Sequence, residues 1–441
     1  MRKGWVLAIV FLLAGGAAAG NIITLTWDQV VDIGLKRNLD LKIMRQDYNN
    51  QKLNEWKAVS EFLPTLNYSF QAVNNVELPL LVFMGRSFRV GTKYNFTHMF
   101  QAQWPLFLGG LRLANFSMQK NSKKSLQSLL KGKESDITLK SIEAYFTLIL
   151  SNDLVQVNQK AVDAARANLE QVRKFYNNGT ASQLDLLRAE TRFSQSLPRL
   201  TSAKNNRKMA VENLKFLLNF DVKDSVVVLD SLHQMDFLKD FAALSLDQLQ
   251  KIALSNRPDL KSMTFRQKAV HAQTYMAGSH FLPQIVVSAN VQHQAFLDNS
   301  HVRWDDYTRA KSASIALQFP LFEGGKSLIE LQQARIQEKK IALQRQQLRR
   351  AVLLDVKNCL NAYKEARQNL QSLKQAFRQA KETLRLANLS YREGLSTQVD
   401  VLNAQSAFTA SEMQYRQGIY DVNISQLKLL KAIGKLNSIW Q

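Results

Sequence analysis

The sequence predicts a mainly α-helical fold with a transmembrane β part, built twice from one unit. Each unit joins a β-hairpin to a long coiled-coil helical hairpin. Three observations carry this reading. First, Trp104-Pro105-Leu106-Phe107-Leu108-Gly109-Gly110 returns as Phe319-Pro320-Leu321-Phe322-Glu323-Gly324-Gly325. At the same interval Tyr176-Asn177-Asn178-Gly179 returns as Tyr391-Arg392-Glu393-Gly394. Two landmarks that keep one distance on both passes mean that a whole unit is duplicated, with a period too long for a short-repeat solenoid. Second, four segments beside Pro64, Pro105, Pro283 and Pro320 alternate apolar with neutral polar residues. Third, the stretches that follow both double glycines contain no proline and carry heptads.

Residues 1–19 read as a secretory signal. Arg2 and Lys3 supply the charged start, Val6 to Leu13 the apolar stretch, and Ala17-Ala18-Ala19 the small residues of a cleavage site. The apolar run falls short of the ~20 residues a spanning helix needs. No cysteine stands near the cleavage site to take a lipid. Residues 20–220 then form the first structural repeat, 221–244 a linker, and 245–441 the second repeat. The 441 residues could hold two or three domains, but the duplication argues for one pseudo-symmetric body.

In the first repeat a helix starts at the N-cap Thr26, breaks at Asn38 and resumes from about Asp40 to Phe62. In the second repeat the same pair starts at Ser245, with its break at Asn256-Arg257-Pro258. The helices end at matching Phe-Leu-Pro sites, Pro64 and Pro283. After each of these prolines the period changes to two. Leu66, Tyr68, Phe70 and Ala72 alternate with Thr65, Asn67, Ser69 and Gln71. Tyr94, Phe96, Phe100 and Trp104 alternate with Asn95, Thr97, Gln101 and Gln103. Ile285, Val287, Ala289 and Val291 alternate with Ser288, Asn290 and Gln292. Ala313, Ile315, Leu317 and Phe319 alternate with Ser312, Ser314 and Gln318. These are four strands in two hairpins. Their length, about 9–12 residues, suits a tilted bilayer crossing. Four strands cannot close a barrel, and lipid tolerates no open edge. The sheet is therefore either a soluble one with a wet face or a share of a barrel made by several chains.

From Gly110 to Tyr176 and from Gly325 to Tyr391 the sequence predicts helices of roughly 100 Å at 1.5 Å per residue. In the second, Val352, Val356, Cys359, Tyr363, Ala366, Leu370, Leu373, Phe377, Ala380, Leu384, Ala387 and Tyr391 step by four and three without a slip. Gly179 and Gly394 break the helices at tight turns. Return helices follow from about Ser182 to Asn219, with a kink expected at Pro198, and from about Thr397 to Gly434.

The pattern offers little to catalysis. The six histidines form no ligand pair with nearby acids, and no phosphate loop follows Gly110 or Gly325. No nucleophile, base and oxyanion set is present, so neither an enzyme, a cofactor nor a bound metal is expected. Cys359, the sole cysteine, reads as a small core residue. Asn67, Asn95 and Asn178 lie in glycosylation-like triplets, a weak signal. The formal charge of +22 is spread along the helices, as at Lys120, Lys123, Lys124, Arg345, Arg349 and Arg350. That spread points to solvated faces and away from nucleic acid, and leaves anionic lipid headgroups or acidic proteins as partners.

The duplication, the [WF]-Pro-Leu-Phe-x-Gly-Gly turns, the Leu-Pro strand starts and the Tyr-x-x-Gly turns resemble the outer-membrane efflux protein family, the TolC-like channels. The resemblance implies a homotrimer with a trimeric α-barrel and a shared twelve-stranded β-barrel. It implies a location in the outer membrane, with most of the chain in the periplasm. The chain would be the exit duct of a tripartite efflux or type I secretion system, conducting substrates passively. Its partners would be a periplasmic adaptor, an inner-membrane pump and outer-membrane lipid. Gly179 and Gly394 would mark the tip where the adaptor docks. Asp400 and Asp185 match the gate position, and both also fit the first-turn acid favoured by the helix dipole. Where some members have a second acid, this chain has Asn403. Tyr176 and Tyr391 are either gate latches or heptad core. Pro105, Gly109, Gly110, Pro320, Gly324 and Gly325 would switch the chain from strand to helix. A secreted coiled-coil structural or surface protein is the alternative reading.

Overall fold

A computed structural model describes residues 22–221, 223–228, 230–239 and 241–439. The signal segment 1–19 lies outside them. In chain order the elements are β1 (Ile22–Leu25), α1 (Trp27–Arg37), α2 (Leu39–Ser60), β2 (Thr65–Asn74), β3 (Leu80–Phe83), β4 (Arg86–Arg89), β5 (Tyr94–Leu108), α3 (Leu111–Asn177) and α4 (Gln183–Leu218). Then come β6 (Ser225–Val228), α5 (Leu246–Asn256), α6 (Pro258–Gly278), β7 (Gln284–Leu297), β8 (Thr308–Gln318), α7 (Lys326–Arg392) and α8 (Gln398–Ala432). The chain divides into two compact units, each drawn from both repeats. The first takes the described residues up to Lys42, Lys133–Asn256 and those from Val352 on. The second takes Ile43–Gly132 and Arg257–Ala351.

The first unit is the helical one. Every position of the second heptad stripe, from Val352 to Tyr391, is buried or half-buried, while the residues between them are mostly exposed. Phe377 of α7 stacks on Phe408 and Tyr415 of α8, with ring centroids 5.7 and 5.3 Å apart. Gly418 lets α8 approach α7 closely, because a Cβ there would lie 2.9 Å from a Leu373 methyl carbon. Cys359 is half-buried, with its Sγ 3.8 Å from the Asp355 carboxylate, so it lies at the margin of the stripe. α4 continues through Pro198 as one helix.

Two features of this unit are absent from the sequence reading. β1 pairs in parallel with β6, which ties the start of the described chain to the segment that links the repeats. That segment is then clasped by α8. Asn423 accepts from the Met235 N–H and donates to the His233 carbonyl (2.9 and 2.8 Å). Gln426 accepts from the Phe237 N–H and donates to the Met235 carbonyl (2.9 and 3.0 Å). Both amides are buried, and each satisfies backbone groups that have no ladder of their own. Tyr145 donates a hydrogen bond to Asp230, and burial followed by that bond pushes the Tyr145 phenol far up.

The second unit carries the sheet. Its order is β2-β5-β7-β8, antiparallel throughout. The two hairpins share one register: Leu66 faces Ala102 as Ile285 faces Leu317. The strand expected to end before Pro105 runs on to Leu108. Pro105 therefore sits in β5, at a bulge between Pro105 and Phe107 and beyond the end of β2, whose Thr65 faces Gln103. A strand tolerates a missing N–H at such a place. A further hairpin, β3–β4, lies in the loop between β2 and β5 and turns at Met84 and Gly85, both with positive φ.

Candidate functional site

Two places can carry the duct function, the turns of the helical hairpins in the first unit and the sheet in the second. At the first turn Gly179 has φ 75° and donates to the Tyr176 carbonyl, while Thr180 donates to the Phe175 carbonyl. At the second, Gly394 has φ 74° and donates to the Tyr391 carbonyl, and Leu395 donates to the Ser390 carbonyl. The paired bonds close each helix end as in a Schellman-type motif, which glycine enters without strain. Nothing lies within 4 Å of a Cβ built on either glycine. Leu184 and Leu395 beside the turns are exposed.

Both acidic gate candidates belong to helix-capping boxes. The Ser182 hydroxyl donates to Asp185 at 2.6 Å, and the Asp185 N–H donates back to Ser182. Thr397 donates to Asp400 through its hydroxyl at 2.7 Å and its N–H at 2.9 Å, and accepts from the Asp400 N–H. These are capping boxes with an aspartate in the third position. The Thr397 hydroxyl and then its N–H hold the Asp400 carboxyl below the usual range. Asp400 and Asn403 are exposed. Asp185 differs, being half-buried with Arg188 3.6 Å away.

The two tyrosines also part company. Tyr176 is exposed. Tyr391 is half-buried, with Phe175 edge-on at 6.4 Å, and burial followed by the Asp185 charge raises its phenol. The structure thus brings Phe175, Tyr391 and Asp185 of the two repeats together, and leaves Tyr176, Asp400 and Asn403 facing solvent. The sequence reading did not single out Phe175. Its neighbour Tyr391 stands in the other repeat, so no local pattern signals the pair.

In the sheet, the pairing register puts Leu66, Phe70, Phe96, Phe100, Val287, Val291, Ile315 and Leu317 on one face, and Asn67, Gln101, Ser288, Asn290 and Ser314 on the other. The edge strands are β2 and β8. β8 is exposed along its whole length. Gly109, Gly110, Gly324 and Gly325 all have positive φ and make the strand-to-helix turns. Around the first turn, Arg112 donates to the carbonyls of Glu61 and Leu106 and Trp104 donates to the Phe62 carbonyl. Among the described residues no helix is long and apolar enough to span a membrane, and no histidine, cysteine and acid cluster could hold a metal.

A family model of outer membrane efflux proteins matches residues 31–219 and again 249–435. The chain is 22% identical over 315 residues to outer membrane protein TolC of Escherichia coli, a match covering 69% of this chain and 62% of the relative. It is 19% identical to alkaline protease secretion protein AprF of Pseudomonas aeruginosa, over 66% of this chain and 60% of that protein. These matches span less than two thirds of either relative. The crystal structure of the Campylobacter jejuni CmeC outer membrane channel superposes with a TM-score of 0.80 at 16% identity, covering 93% of this chain and 86% of that one.

Proposed function

Because this chain belongs to the outer membrane efflux protein family, we propose that three copies of it form a passive exit duct across the periplasm and outer membrane. It is an outer-membrane protein. The open sheet is the observation that carries the proposal. One face of that sheet is apolar except at its loop end, where His98, His293, Arg309 and Lys311 stand; the other is lined mainly by neutral amides and hydroxyls, and among the described residues both edge strands lack an outer neighbour. Backbone groups at such edges cost several kcal/mol each in lipid, so the sheet must close on further copies.

The geometry of the repeat says how. β2 runs away from the helices and β8 runs back towards them, so β8 of one copy and β2 of the next would meet antiparallel, as β5 and β7 do. Matching Pro105 to Pro320 and Pro64 to Pro283 carries the β5–β7 register onto that joint. Gln103 faces Ser288 within the chain. Gln318 then faces Ser69 of the partner subunit. Three copies give twelve strands, the number the family resemblance implies, and leave a water-filled lumen lined by the polar face.

The helical hairpins form the periplasmic conduit, with Gly179 and Gly394 at the tip that receives the adaptor of an inner-membrane pump. Asp185 and Tyr391 are the better placed gate residues, since the fold already brings them together, and Asp400 would line the lumen as a ring of three. The efflux family model and the alkaline protease secretion relative of Pseudomonas aeruginosa support efflux and protein secretion as cargo classes. The reading is tested by extracting the full chain in neutral detergent and weighing it. A mass of three chains with heat-modifiable mobility is expected; a monodisperse monomer recovered without detergent would overturn it.

A further inference from the structure

We propose that His293, Arg309 and Lys311 form a binding site for the phosphorylated headgroup of an outer-leaflet lipid. The inference rests on the apolar face of the sheet facing lipid, as proposed above. On that face β8 is apolar from Leu317 through Ile315 to Ala313, then turns basic at Lys311 and Arg309, its last two outward positions before the loop. The matching outward positions of β5, counted from Pro105 and Pro320, are Phe96 and Tyr94. One repeat thus places aromatic anchors at this depth and the other places two cations.

The cations are not isolated. Arg309 faces His293 directly across β7–β8, and Lys311 lies one outward position further along, facing Val291. Side chains so placed sit about 5–8 Å apart at their bases, within reach of one phosphate. Trp304 stacks on His293 at 5.9 Å and lies exposed above it. The loop holding Trp304 is fixed by Tyr307, whose hydroxyl bonds His98 Nε2 at 3.1 Å, while Tyr68 bonds the other ring nitrogen. Among the described residues Arg309 and Lys311 have no carboxylate partner. The acids at this end are engaged elsewhere or lie out in the loops: Asp298 accepts from the Lys93 N–H, Asp306 accepts from the Arg303 N–H, and Asp305 and Glu77 are exposed.

Unpaired cations on a lipid-facing surface are costly at mid-bilayer and stable where anionic headgroups meet them. Their confinement to the loop end, with none on the outward face at the helix end of β8, selects the outer leaflet. The aromatic and apolar surroundings select a lipid over a free anion.

The test uses the full chain in neutral detergent, titrated by native mass spectrometry with a glycolipid carrying sugar phosphates, with its dephosphorylated form, with phosphatidylglycerol and with inorganic phosphate. Wild type should prefer the phosphorylated glycolipid to its dephosphorylated form by roughly tenfold or more, since each basic residue near a lipid surface contributes about a fivefold effect. Arg309→Gln with Lys311→Gln should abolish that preference. Arg309→Lys with Lys311→Arg should retain it, as should Lys339→Gln with Lys340→Gln on the helical surface. The glutamine pair removes charge from a lipid face, so it should not impair insertion, which heat-modifiable mobility checks. Unchanged preference in the glutamine pair, equal binding of phosphatidylglycerol, or competition by inorganic phosphate at the same concentration would each overturn the site. A nitroxide on Ile315→Cys in a Cys359→Ser background separates this from failure of the lipid-facing reading. Oxygen access without access of a water-soluble relaxant keeps that reading, and the reverse ends it whatever the titration shows.

Discussion

The two strand-to-helix turns share a Pro-Leu-Phe-x-Gly-Gly run and left-handed glycines, yet one is packed and the other open. Gly109 and Gly324 have φ values of 60° and 63°. A Cβ on Gly109 would lie 2.4 Å from the Ser279 carbonyl oxygen, whereas a Cβ on Gly324 meets nothing within 4 Å. Arg112 braces the first turn through two backbone carbonyls; its counterpart Ser327 bonds to Glu323 within its own turn. Leu321 and Phe322 beside the second turn are more than four-fifths exposed. The difference follows from position in the sheet. β5 is central and finds its neighbour within the chain, while β8 is an edge. In the proposed assembly the second turn would meet the next copy, as the first meets β7's end of the same chain. By the match of Pro64 to Pro283, the counterpart of Ser279 in that assembly would be Ser60 of the partner subunit.

Alanine at the two glycines gives the largest predicted effect. Gly109→Ala should cost about 1–2 kcal/mol for the left-handed backbone and about 1–3 kcal/mol more for displacing the Ser279 carbonyl. If a partner subunit completes the second turn, Gly324→Ala should destabilise the assembled protein as much as Gly109→Ala does. If that turn stays open, the backbone cost alone remains. Thermal melts of the detergent-extracted assemblies distinguish the two.

Arginine on the two faces of one strand is the second prediction. Val287→Arg should impair insertion by about 2–4 kcal/mol at mid-bilayer, and Ser288→Arg by far less. Greater sensitivity at Ser288 would reverse the faces and undo the comparison of central and edge strands.

The third concerns a contrast within the helical unit. Asn423→Ala should cost about 1–3 kcal/mol, because it orphans the Met235 N–H and the His233 carbonyl. Its counterpart in the first repeat, Lys208, is exposed, so Lys208→Ala should change stability by less than about 0.5 kcal/mol. Urea or thermal unfolding of both variants checks the pair.

Much of the fold was legible because its signals are local. The heptad from Val352 to Tyr391 needs one helix to be read, and the alternation from Ile285 to Val291 needs one strand. The capping residues Ser182 and Thr397 stood where the helix starts were expected. What stayed hidden depends on distant partners. β1 and β6 are four residues each, about two hundred positions apart, and neither has a period to read. Asn423 and Gln426 look like ordinary polar helix residues until the linking segment lies against them. The β3–β4 hairpin leaves only a faint signal, Gly85 after the apolar run Leu80–Phe83, because β4 is Arg86-Ser87-Phe88-Arg89 and Met84-Gly85 is not a common hairpin dipeptide. At the candidate gate, the turns and caps were legible, but the meeting of Asp185, Tyr391 and Phe175 was not, since it joins the two repeats.

The smallest predicted effect separates the two capping aspartates. The depressed Asp400 carboxyl contributes stability that is fully present above its unfolded value near pH 4. That contribution is lost as the pH falls through the lower folded value. Asp400→Asn should therefore flatten the acid limb of the melting curve. In single-channel recordings it should also weaken block by divalent and trivalent cations, and Asn403→Asp should strengthen it. Unchanged block in Asp400→Asn would leave Asp400 as a helix-start acid alone and put the gate elsewhere.

The central claim is that β8 closes on β2 of another copy in the register of β5 on β7. It is tested most directly by cysteines at Gln318 and Ser69, both on the polar face, in a Cys359→Ser background. Oxidation in outer membranes should give covalent dimers and a closed trimer, and should outpace the Gln318 and Gln71 pair on the same face. Absence of crosslinked chains, or faster crosslinking of the Gln71 pair, would contradict the account.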